Sequence, residues 1–148
     1  MTVEERTREV HPLTLFAPEG ARLLMLGSFP PPRERWRMDF FYPNFQNDMW
    51  RIFGLVFFGD KSHFLTDDGR AFREAELRRF LTERGIAIWD TAMEVSRLQG
   101  NASDKFLEVL RPIDLRQTLA LLPSCRAIAV TGQKALDTLL TLVSVPSP

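Results

Sequence analysis

The chain has 148 residues, with 19 Lys+Arg against 19 Asp+Glu and a formal net charge of zero. That length suits one domain that buries roughly two-thirds of its unfolded surface, and 45% hydrophobic with 26% charged residues excludes a disordered or low-complexity chain. Neutral charge excludes attachment to nucleic acid or anionic membrane through bulk charge, leaving only a local basic patch. One cysteine, Cys125, excludes an intrachain disulfide framework and a multi-thiolate zinc site.

The N-terminal stretch Met1 to Val10 is charged and lacks the apolar core of a secretion signal. No run reaches the ~20 apolar residues of a membrane span. A soluble cytoplasmic monomer, without membrane or metal partner, is expected. His11 and His63 each lack a close Cys or His, so no metal site is expected on them. The apolar run from Ala21 to Leu26, ending in Gly27, predicts a buried strand. Ser28-Phe29-Pro30-Pro31-Pro32 is a loop stiffened by proline. Residues 33–46 read as irregular, rich in Arg and aromatics.

A helix is expected from Asn47, with Met49, Trp50, Ile52, Phe53, Val56 and Phe57 on a broad apolar face. A second helix is expected over Arg70 to Arg84, with Ala71, Phe72, Ala75 and Phe80 turned inward. Gly85 ends it, and Ile86 to Asp90 predicts another buried strand. Asn101-Ala102-Ser103-Asp104 offers capping oxygens for a helix over Lys105 to Leu110, closed by Pro112. A short helix over Asp114 to Leu122, a strand over Arg126 to Thr131 and a helix over Gln133 to Leu142 follow. Strands alternating with helices predict a three-layer α/β/α sandwich around a short parallel sheet.

Ligands of parallel α/β sheets bind outside the carboxyl ends of the strands. Those ends are Gly27-Ser28-Phe29-Pro30, Trp89-Asp90-Thr91 and Thr131-Gly132-Gln133. The first is either a stiff turn or a cradle whose Ser28 and Phe29 amides donate to a ligand oxygen. The stretch from Asp39 to Trp50 interleaves aromatics with amides after Arg33, Arg35 and Arg37. It suits a flat heterocycle stacked on a ring with an amide at its edge, although core packing for the rings and a helix cap for Asn47 explain the same residues. The arginines read equally as a solvated surface. Asp90 is either capped by amides or functional, and Cys125 reads as a bystander. Gly132-Gln133-Lys134 lacks the upstream glycine and following Ser/Thr of a phosphate loop.

Together these loops resemble the uracil-DNA glycosylase superfamily, closest to its hypoxanthine-DNA and mismatch-specific branches. The pieces are Leu26-Gly27-Ser28-Phe29-Pro30, Tyr42 with Asn47-Asp48-Met49-Trp50, Gly85 to Asp90 with Ser103-Asp104, and Ala129 to Ala135. The resemblance implies a four-stranded parallel sheet between helices. It also implies a monofunctional DNA glycosylase, without metal or cofactor, that flips a deaminated base out of DNA and hydrolyses its N-glycosidic bond. Carried over, Asn47 positions water or contacts the base edge, Tyr42 or Phe41 stacks on the base, and the Ser28 and Phe29 amides at the Gly27 turn meet the base oxygen. Arg33, Arg35 and Arg37 contact DNA.

Two departures stand out. Phe29 occupies the position where many members carry Asp or Asn, and it cannot orient water. The family's fourth strand and serine-rich loop have no counterpart before Val145-Pro146-Ser147-Pro148, so a single, C-terminally truncated domain over 1–148 is expected. Two other classes stay open: a non-catalytic nucleobase or nucleic-acid module, and an interaction domain whose aromatic stretch faces a partner.

Overall fold

The computed structural model describes residues 8–97 and 107–143. The chain forms two compact units: residues to Phe29 with those from Arg84 onward make a sheet unit, and Pro30–Glu83 make an aromatic unit. The fold is mixed α/β with a parallel sheet. Among the described residues no helix is long and apolar enough to cross a membrane.

In the sheet unit, β1 (Arg8–Val10) is followed by β2 (Leu23–Gly27), β3 (Ile86–Asp90), β4 (Ala92–Arg97), β5 (Leu107–Pro112) and β6 (Ala127–Val130). All three strands expected from apolar runs are present and parallel, in the order β3-β2-β6. Leu24, Leu26, Ala87 and Ile88 are fully buried, each leucine or isoleucine adding about 2 kcal/mol by leaving water. Leu24, Leu26 and Ala87 share one core with Ile113 and Leu122, against which Leu115, Leu119, Leu139 and Leu142 pack. Met25 and Ile88 are buried on the alternate face, as continuous apolar runs require.

One expectation fails here. The helix expected over Lys105 to Leu110 is a strand in its described part: Leu107–Pro112 pairs antiparallel with Ala92–Arg97, a strand absent from the sequence reading, and β1 completes the second sheet in the order β1-β4-β5. The physical reason is alternation: Leu107 is buried, Glu108 exposed and Val109 half-buried, which is a sheet period rather than a helical one. Within this sheet Glu94 lies between Arg8 and Arg111, and the Arg111 bond holds its carboxyl below the ordinary value. Asn101 to Asp104, Val145 and the residues after it lie outside the described set.

In the aromatic unit, α1 spans Met49–Phe58 and α2 spans Glu74–Arg84. Phe80 gathers Phe57, Phe58 and Phe64 at ring-centroid distances of 5.0, 5.4 and 5.5 Å. The α1 periodicity overstated burial: only Trp50 and Gly54 are buried, while Ile52 is 52% and Val56 67% exposed. The second helix begins later than expected, because Phe72 bridges to Leu65 in a turn. Its inward residues are Leu77, Phe80 and Leu81, and Ala75 is exposed. The sheet unit holds two more helices, α3 (Leu115–Ala120) and α4 (Gln133–Val143), where the sequence reading expects them. Asp114 caps α3, its side chain accepting from the Gln117 amide.

Candidate functional site

The carboxyl end of β2 is tied on both sides. Its Gly27 carbonyl accepts from the Thr91 amide (2.8 Å), the Ser28 carbonyl from Ala92 (3.1 Å) and the Leu26 carbonyl from Thr131 (3.0 Å). All three strand ends named from sequence therefore meet in one unit, as the rule for parallel sheets requires. Phe29 turns its ring into a small core with Ala92, Val95 and Leu107 and is 9% exposed. What that turn offers a ligand is backbone, not the Phe29 ring.

The structure brings a residue here that the sequence did not suggest. The segment after β1 runs beside β3, with the Phe16 and Ile88 amides and carbonyls exchanging hydrogen bonds. Its His11 places Nε2 2.7 Å from Asp90 Oδ2, with side chains only 3% and 7% exposed. The Leu13 amide donates to His11 Nδ1 at 3.1 Å. A ring nitrogen that accepts carries no proton, so Nε2–H donates to the carboxylate. Phe29 meets the imidazole edge-on at 5.2 Å and Trp89 tilts against it at 4.6 Å. Asp90 lies 79 positions from His11, so no local spacing could have announced the pair.

Next to Asp90, Thr91 is fully buried and its Oγ1 has no hydrogen-bond partner among the described residues. An orphaned buried hydroxyl costs about 1–3 kcal/mol. Thr91→Val, of nearly the same shape, is therefore expected to raise the urea midpoint, by about 1 kcal/mol in stability. A lower midpoint would mean that the hydroxyl is partnered. One cavity in this unit, about 240 Å³, is lined by Leu15, Trp89, Met93, Ile113 and Thr118 among others and excludes Gly27, Ser28, Phe29 and Asp90. The strand-end chemistry is thus not in that hollow.

The aromatic unit holds the other named residues. Trp50 is the pillar: its Nε1–H donates to the Phe41 carbonyl at 2.9 Å, and Phe40 and Tyr42 pack on its ring. Phe41 is 3% exposed, so of the two rings considered for stacking only the half-buried Tyr42 keeps appreciable surface. Tyr42 has φ 50°, a left-handed backbone rare for a non-glycine residue. Asn47 is half-buried just before α1, and its Oδ1 accepts from the Met49 amide at 2.8 Å. The carboxamide is thereby fixed, while its Nδ2 donors have no acceptor among the described residues. Arg33 and Asp39 form an exposed pair at 3.3 Å, Arg37 donates to the Glu34 and Trp36 carbonyls, and Arg35 is exposed.

No family model matches the chain, and no curated protein matches it. Among solved structures the chain is similar to one described as "a putative Uracil DNA glycosylase from Methanosarcina acetivorans". The TM-score is 0.60 at 24% identity, over 88% of this chain and 76% of that one. That likeness establishes a shared fold.

Proposed function

We propose that this protein is a DNA glycosylase that hydrolyses the N-glycosidic bond of a deaminated base, uracil or hypoxanthine, without a metal or other cofactor. The observation that carries the reading is the Gly27-Ser28-Phe29 turn at the carboxyl end of the middle parallel strand, in a fold shared with the structure described above. A departing base carries negative charge, and fixed amides stabilise such charge without reorganising. The Ser28 and Phe29 amides are assigned to the base oxygen. Tyr42 is assigned to base stacking, Phe41 supporting it from the interior, and Asn47 to water positioning or base-edge contact through Nδ2. Arg33, Arg35 and Arg37 are assigned to phosphates. Three phosphate contacts imply a slope of log K against log salt no steeper than about −3. A slope near −6 or beyond would place the DNA on a larger surface.

A second reading, a non-catalytic nucleobase-binding module, is favoured by the helix-end bond that already accounts for Asn47 Oδ1. Duplexes carrying one uracil or one hypoxanthine separate the two. The glycosylase makes alkali-labile abasic sites in them and none in undamaged duplex. The module binds saturably and makes none. Neither binding nor product would sink both.

A further inference from the structure

Asp90 is buried at the end of β3, in register with Gly27 on β2, so the two share a face of the sheet beside the Ser28-Phe29 turn. A buried carboxylate is costly unless compensated. The usual compensation is a guanidinium, but the ion pair of the buried Arg97 is with Glu9, at 2.6 Å. Asp90 instead receives one neutral donor, His11 Nε2–H on Oδ2, from an imidazole held by the Leu13 amide and two aromatic rings. Its other oxygen has no donor among the described residues. One oxygen is thus anchored and the other is left to accept a proton, at the strand end where a ligand is expected. The turn itself supplies no acid or base side chain, since the Phe29 ring is in the core.

We infer that Asp90 is the general base of the excision reaction and that His11 is its positioning residue; the assignment rests on the glycosylase reading. The bond from the sugar C1′ to the base nitrogen breaks with its electron pair leaving on the base. A water oxygen bonds to C1′ and gives its proton to the unanchored Asp90 oxygen, while the departed base is protonated by solvent.

The test uses the full chain, the variants Asp90→Asn, His11→Gln and His11→Leu, and a uracil duplex. Single-turnover release is read beside affinity for an uncleavable 2′-fluoro duplex. Asparagine is isosteric and still accepts from His11, so Asp90→Asn should melt cooperatively and bind within about twofold, yet release base about 100-fold more slowly or worse. His11→Gln keeps a donor and should stay within about tenfold of wild type, whereas His11→Leu should fall well below it at unchanged affinity. A purely structural tie moves stability and binding together and cannot give that split. Asp90→Asn releasing base within threefold of wild type, or losing its cooperative melt, overturns the assignment while the glycosylase reading stands. A wild-type chain inert on every deaminated base overturns both.

Discussion

Replacing Asn47 by alanine is expected to slow base release by about 100- to 1000-fold, the scale seen when one preorganised polar contact to a developing charge is removed. Two different losses are combined in that substitution. Oδ1 accepts from the Met49 amide at the start of α1, and losing such a cap costs about 1 kcal/mol of stability. Nδ2 is the group assigned to water or the base edge. Asn47→Ser separates them, because a serine oxygen can cap the same amide and cannot replace the carboxamide donors. Serine should restore the urea midpoint without restoring base release. If Asn47→Ala releases base at the wild-type rate, Asn47 serves the helix end and nothing else.

Gly54→Ala is expected to destabilise the protein by about 2–3 kcal/mol, against the ~1 kcal/mol gain that alanine brings to an ordinary helix interior. A Cβ at Gly54 would lie 2.4 Å from the Asp60 carbonyl oxygen and 3.4 Å from the His63 Cβ. That oxygen is backbone and has little room to yield. After α1 the chain turns at Gly59 with φ 65°, and the Asp60 amide comes back to the Gly54 carbonyl at 3.2 Å. Relieving the overlap means opening this return, which leads on to Phe64, a fully buried residue packed on Phe58 and Phe80. Equilibrium urea unfolding reads the effect. A midpoint equal to or above wild type would mean that the return is loosely held.

What was legible in the sequence follows from what each element needs locally. β2 and β3 are buried along nearly their whole length, so their sequences are unbroken apolar runs, and Gly27 and Asp90 mark their carboxyl ends, while the edge strand β6 is only partly covered. The antiparallel sheet was not legible. Ala92–Arg97 includes Glu94 and Arg97, and residues 107–112 accept a helical reading until their partner is known. Strand pairing is a long-range property that composition does not encode. The α1 stripe failed for a related reason, because periodicity states what a helix can bury and not what meets it. The turn after β2 and the asparagine before α1 were singled out from residues as either structural or ligand-facing, and the part proposed for Asn47 came from the resemblance. His11 was not, since its role exists only through a partner across the sheet unit.

Base excision itself is tested most directly by incubating the chain with a duplex holding one uracil and analysing both products by mass spectrometry. The glycosylase reading predicts free uracil in equal amount to an intact strand bearing one abasic site, with nothing released from the matching thymine duplex. An unchanged strand, for uracil and for hypoxanthine alike, would contradict it.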